Sequence, residues 1–262
     1  GFNAVLFLAD VSGASALVRA AVGEPAKVVA ARKGHVGALY VDGSAAFFSE
    51  GGSVLSTGAR GDEAVVVRAR FTAAEVTSLA AVGDTVYVTL KPRGEAPGGE
   101  QATGAVARIA SGEVTLVAEG QVAPRAVVAD GKHVFWIAGA APALWRAPPD
   151  GSYASRVAGD AAGPVGLDGD GVVFQGVDGG LWRVSRSGGT PASVAPPGVV
   201  DFLAASGLVR FTTAQGVLEA TAGATPTTVL ATSSAPRGLA LAGTSLYVLT
   251  GGAADTTLLA QP

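Results

Sequence analysis

Seven short aromatic-bearing segments recur along the chain at nearly even spacing, and this repeat restricts the fold more than any other feature. They are Asn3-Ala-Val-Leu-Phe7, Ser44-Ala-Ala-Phe-Phe48, Asp84-Thr-Val-Tyr87-Val88, Lys132-His-Val-Phe135-Trp136, Gly171-Val-Val-Phe174, Gly207-Leu-Val-Arg-Phe211 and Thr244-Ser-Leu-Tyr247-Val248. From Phe7 through Phe47, Tyr87, Phe135, Phe174 and Phe211 to Tyr247, the intervals are 40, 40, 48, 39, 37 and 36 residues. A period of this size marks a chain built from stacked copies of one supersecondary unit. The long interval holds a Gly/Pro/Glu-rich insertion, Lys91-Pro-Arg-Gly-Glu-Ala-Pro-Gly-Gly-Glu100.

Other features keep phase with the aromatic. A strand-like run precedes it, as in Val36–Val41, Arg125–Ala129, Val200–Ala204 and Arg237–Leu241. Asp42-Gly43, Asp130-Gly131 and Asp170-Gly171 join the two runs with a dipeptide suited to a tight hairpin. A third run follows, as in Val106-Ala107-Arg108, Leu144-Trp145-Arg146 and Leu181-Trp182-Arg183, and then a fourth, as in Val65–Val67 and Val114–Val117. Four short antiparallel strands per unit predict an all-β chain, a β-propeller of four-stranded blades. The count is seven blades, with six as the alternative. The expectation is one domain over 1–262, with blades near 1–34, 35–74, 75–123, 124–163, 164–199, 200–235 and 236–262. Composition agrees: 38 glycines supply turns, and 48% apolar residues suit strands covered on both faces by neighbouring blades. A helical solenoid is disfavoured by the clustered Gly, Val and Thr.

Leu144-Trp145-Arg146 with Asp150-Gly151, and Leu181-Trp182-Arg183 with Gly188-Gly189, resemble the units of bacterial propellers of the NHL-repeat and TolB-like kind. The likeness covers nearly the whole chain and implies architecture. Such propellers include scaffolds, carbohydrate binders, lyases and lactonases, so it implies no single activity.

By this reading the strands number 26, two short of seven full blades: the first unit lacks its leading strand and the last its closing strand. Three arrangements follow. The seam is thin, or Lys27–Ala31 completes the last of six blades, or two open edges offer unpaired backbone to another chain.

Chemistry is sparse. With no cysteine, disulfides, thiolate metal sites and cysteine nucleophiles are excluded. A net charge of −3 argues against a nucleic-acid partner. No apolar run is long enough for a transmembrane segment. His35 and His133 sit just ahead of predicted strands and read as turn residues. A metal site there requires carboxylates such as Asp10 or Asp168 to converge on them, and an enzyme requires at least three of His35, His133, Asp168 and Asp170 to approach one axial cleft. Asp168-Gly169-Asp170 lacks the further ligands of a calcium loop. Trp136, Trp145 and Trp182 fall in phase with the blades and read as packing residues rather than a sugar-stacking platform. Arg146 and Arg183 point away from their tryptophans and suit a blade surface or an ion pair. The candidate binding residues are therefore His35, His133, Trp136, Arg146 and Arg183, with no catalytic residue, metal or cofactor expected.

These residues predict a non-catalytic binding or structural scaffold contacting a protein or extracellular-matrix partner, possible self-assembly through the terminal blades included. The alternative is a propeller enzyme, a lyase or metal-assisted hydrolase working at a central channel mouth. The chain does not begin with methionine, which fits a removed signal, so a periplasmic, cell-surface or secreted location is expected.

Overall fold

The computed structural model describes residues 4–11, 14–21, 24–94, 103–205, 207–242, 245–251 and 256–261. Among these every regular element is a strand, and all the sheets are antiparallel meanders. The first sheet holds β1 (Ala4–Val11), β2 (Ala14–Ala21) and β3 (Lys27–Arg32). The second holds β4 (Val36–Asp42), β5 (Ala45–Glu50), β6 (Ser53–Gly58) and β7 (Val66–Arg70). The third holds β8 (Ala74–Val82), β9 (Thr85–Pro92), β10 (Thr103–Ala110) and β11 (Glu113–Val122). The fourth holds β12 (Arg125–Ala129), β13 (Val134–Ala138), β14 (Ala143–Ala147) and β15 (Ser155–Ala158). The fifth holds β16 (Ala161–Asp168), β17 (Gly171–Gly176), β18 (Leu181–Ser185) and β19 (Ala192–Ala195). The sixth holds β20 (Asp201–Ala205), β21 (Leu208–Thr213), β22 (Gly216–Ala220) and β23 (Thr227–Ala231), and the last β24 (Pro236–Ala242), β25 (Ser245–Gly251) and β26 (Thr256–Gln261).

Seven four-stranded blades, the count the aromatic markers predict, is not supported. Five of these sheets have four strands, while the first and the last have three. Lys27–Arg32 does not complete the last sheet either; it pairs with β2, Leu17 opposite Ala30. The physical reason is local: a short connection after β2 makes the neighbouring hairpin partner far easier to reach than a distant edge. Part of the predicted insertion, residues 95–100, lies outside the described residues.

The chain divides into two compact units, Leu6–Arg156, and Gly1–Val5 with Val157–Pro262. In the first unit β8 packs beside both β4 and β12, the first strands of their sheets. In the other, β20 packs beside β16 and β24 in the same way. Side-chain alternation then assigns each strand to two cores. Val86 and Val88 join Phe47, Leu79 and Ile109 on one side of the third sheet, while Tyr87 joins Val106 and Trp136 on the other. Phe47 and Phe48 divide likewise, Phe48 meeting Leu17 and Leu55. Period-two geometry with both faces covered is why the marker strands are apolar without a break.

The hairpins between first and second strands need a residue in the left-handed region. Gly43, Gly83 and Gly169 supply it, with φ of 57°, 56° and 52°. In the fifth sheet this corrects the expected Asp170-Gly171 turn: Asp168 pairs with Gly171, so Gly169-Asp170 is the turn and Gly171 opens β17. The carboxylates beside these turns join sheets. Asp42 Oδ2 accepts the Gly83 N–H at 2.9 Å, and Asp168 Oδ1 accepts the Gly207 N–H of the next sheet in the same manner.

Candidate functional site at Trp182

Around β18 a side-chain pattern produces both a sealed face and an open one. Trp182 stands opposite Phe174 of β17, and the next residue, Arg183, points to the other face. On that face Arg183 Nε donates to Asp168 Oδ2 at 2.8 Å and Nη2 to Asp170 Oδ1 at 2.6 Å. Asp168 is fully buried, and these bonds with the Gly207 N–H satisfy its carboxylate. The hydrogen bond from Arg183 holds the Asp170 carboxyl below its usual range, and the bond to Asp168 raises the guanidinium further. The arginine reaches across because Gly171 has no side chain: a Cβ there would lie 2.7 Å from Arg183 Cζ.

On the Trp182 face the chain leaves a cleft of about 290 Å³, lined by Asp160, Phe174, Val177, Asp178, Trp182 and Pro191. Gly176 builds it. A Cβ at Gly176 would lie 2.8 Å from both Cδ1 and Nε1 of the indole, so only glycine lets the ring rest against β17. Asp178, in the turn after β17, accepts the Gly180 N–H at 3.0 Å and the Trp182 Nε1–H at 3.3 Å through the same Oδ1. Asp160 brings the connection between β15 and β16 to the rim, where its carbonyl accepts the Val177 N–H at 2.9 Å. It does so at φ 55°, a backbone state that Asp tolerates better than most residues.

The sequence-derived candidates fall elsewhere. Trp136 is fully buried and its indole N–H donates to Gln121 Oε1 at 2.9 Å, so its ring offers nothing to a ligand. Arg146 Nε donates to Ser155 Oγ at 3.3 Å within the fourth sheet. Arg183 is engaged by Asp168 and Asp170. His35 precedes β4, whereas His133 follows β12 in the hairpin to β13, with its ring 5.9 Å from that of Phe135. One stands at the start of a first strand and the other beyond the end of one, so the repeat places them at opposite ends of their sheets. Among the described residues no three His, Asp or Glu side chains gather as a metal-holding group.

Of the cleft residues, Phe174 entered the sequence reading as a blade marker and Trp182 alone was weighed as a ligand platform, where it read as packing. The available signal was Gly176 with Asp178-Gly179-Gly180 just ahead of Leu181-Trp182, an acidic turn beside a ring with no Cβ against it. Asp160 carries no local signal, because it arrives from a different connection.

A second feature is β11, the last strand of its sheet, against which the Gly151 turn rests. Leu116, Val117, Ala118, Glu119, Gln121 and Ala154 border a groove of about 350 Å³ beside it. Leu116 is 47% exposed and Tyr153, next to Ala154 in the chain, 57%.

No family model matches the chain, and no curated protein is similar to it. Solved structures do resemble it. One from the nidogen/laminin complex is 14% identical over 84% of this chain and 89% of its own, with a TM-score of 0.60. BamB from Moraxella catarrhalis is 12% identical over 99% and 96%, with a TM-score of 0.56. Regucalcin from Agrobacterium tumefaciens, described as a calcium-binding protein, is 13% identical over 79% and 80%, with a TM-score of 0.54. At such identities the likeness shows the fold alone, and the fold these neighbours share with this chain is the β-propeller.

Proposed function

We propose that this chain is a non-catalytic binding or structural scaffold working outside the cytoplasm, in contact with a protein or extracellular-matrix partner that includes a second copy of itself. The observation that carries this reading is the apolar character of the edge strands in the Leu6–Arg156 unit. Val28 on β3, Val66 and Val67 on β7, and Val114 and Leu116 on β11 are all exposed. Each of these strands ends its sheet, with no further strand paired beyond it. Sheet edges of monomeric proteins are usually blunted by charge or covered, and an apolar edge is a template for strand addition or face-to-face packing. β26 likewise ends its sheet, which has three strands.

Light scattering across the micromolar range tests the self-contact. The wild-type chain associates as concentration rises, and Val66→Lys/Leu116→Lys abolishes that association with the fold intact, because exposed substitutions cost within about 0.5 kcal/mol. A wild-type chain that stays monomeric throughout removes the second copy as partner. Association that survives both lysines removes β7 and β11 from the contact surface.

A further inference from the structure

The Trp182 cleft has a donor and acceptor balance that specifies its ligand. Among the lining side chains only Trp182 carries an N–H, and that donor is committed to Asp178 Oδ1. The remaining polar side-chain capacity is the second oxygen of Asp178 and the carboxylate of Asp160, both on exposed residues at the mouth. Carboxylates only accept hydrogen bonds. The cleft therefore offers two negative charges, acceptors without free side-chain donors, and apolar walls from Phe174, Val177, Pro191 and the indole. No lysine or arginine lines it.

A sugar ring matches this set poorly, because each hydroxyl both donates and accepts and no lining side chain has a donor to spare. An anion is repelled. A neutral apolar group leaves the carboxylates unused. A cation that carries only donors on a short hydrocarbon stem satisfies every feature together: its N–H groups reach the carboxylates, its charge meets the aromatic ring, and its stem fills the apolar wall. The volume, about 290 Å³, is at the lower limit for small-molecule sites and holds one such group rather than a large ligand. Gly176 shows that the site is built: its missing side chain is what keeps the indole against β17 and its N–H on Asp178.

We infer that this cleft binds an organic cation, an alkylammonium or guanidinium group on a short aliphatic stem. The inference does not depend on the apolar edges described above, and either can fail while the other stands. The same chemistry comes from a free amine or from a lysine or arginine side chain of a bound polypeptide.

The test is calorimetric titration of the full chain with Nα-acetyl-lysine methylamide, Nα-acetyl-norleucine methylamide (the same stem without the ammonium), n-butylammonium and methyl glucoside. The two cations bind, and the norleucine derivative binds at least about tenfold more weakly, the loss expected for removing a charge-assisted contact. Affinity for the cations falls with added salt, as partly exposed charges require. Asp178→Asn retains an acceptor for the Gly180 N–H while removing the charge, and Asp160→Asn removes the second charge without touching the indole; each weakens cation binding. Tighter binding of the lysine derivative than of n-butylammonium assigns the site to a polypeptide side chain, and equal binding assigns it to a free amine. Equal affinity for norleucine and lysine derivatives, glucoside binding without cation binding, or unchanged affinity in both Asn variants with native thermal midpoints would each overturn the inference.

Discussion

Trp145 in β14 and Trp182 in β18 hold the same place in their sheets, each after a buried leucine and before an arginine, yet their surroundings differ. Trp145 lies opposite Trp136, and its indole N–H donates to the Ala138 carbonyl at 3.3 Å, within a sheet whose second strand is buried along its whole length. Trp182 lies opposite Phe174, and its N–H goes to a turn carboxylate. The decisive exchange is at the end of the second strand, where Ala138 of one sheet corresponds to Gly176 of the other. The methyl group sets a spacing at which the backbone carbonyl receives the indole. Its absence admits the ring and an acidic turn beside it, and a cleft opens. One repeat can thus send the indole N–H of the same half-buried aromatic to a backbone carbonyl or to a turn carboxylate by changing a single Cβ and the turn that follows.

The largest expected effect separates Trp136, the fully buried ring opposite Trp145, from the half-buried Trp182. Trp136→Ala removes a fully buried ring and its bond to Gln121 and lowers stability by about 4 kcal/mol. Trp182→Ala removes a half-buried ring and costs about 1 kcal/mol in line with its smaller buried area, while abolishing the cleft's response to cations. Urea denaturation of both variants checks this, and equal losses would erase the distinction between core and cleft.

Next in size is a comparison of the two turn latches. Asp168→Ala leaves the Gly207 N–H unanswered and Arg183 without its buried partner, and the expected cost is about 3 kcal/mol, the lower end for breaking a buried pair because Arg183 keeps Asp170. Asp42→Ala loses only the bond from Gly83 and costs about 1 kcal/mol. Thermal midpoints of the two variants should differ in that order.

The smallest effect concerns a latch without a cation. Asp201 accepts the Phe202 N–H at 2.9 Å and the Leu239 N–H at 2.8 Å, and among the described residues no arginine or lysine is bonded to it. Burial raises its pKa, against the lowering pull of those two bonds. A raised value means that the folded chain holds this proton more tightly than the unfolded chain, whose aspartate titrates near about 3.9. The group's stabilising contribution is complete below that value and is lost as pH rises through the folded pKa. Asp201→Asn keeps one acceptor and loses the other, so it is less stable than wild type by about 1 kcal/mol near pH 4. The gap narrows as pH rises through the folded pKa. A gap that widens with pH would reverse the assignment.

Glu50 behaves in the opposite sense: the hydrogen bond from Arg32, with that of the Gly34 N–H, holds its carboxyl below the usual range. Asp201 and Glu50 are both carboxylates that tie neighbouring segments. A bonded guanidinium is what reverses the direction of the shift.

The strands were legible because their signals are local. Alternation of side chains places Phe47 and Phe48, or Val86, Tyr87 and Val88, on opposite faces whatever the neighbours are, and short glycine turns decide which runs pair. The position of Asp168 before a left-handed glycine was likewise within reach of turn chemistry, although the turn itself fell one residue earlier than Asp170-Gly171 implies. What each sheet does with its repeated cassette was decided only in three dimensions. Asp160 reaches the cleft from another connection, Gly207 reaches Asp168 from the next sheet, and Trp136 is closed off by Gln121 of the preceding one. Sequence spacing carries the period of a strand and the angle of a turn, both set by a few adjacent dihedrals. Exposure and partner choice depend on which distant backbone arrives at the same place, and that follows from packing alone.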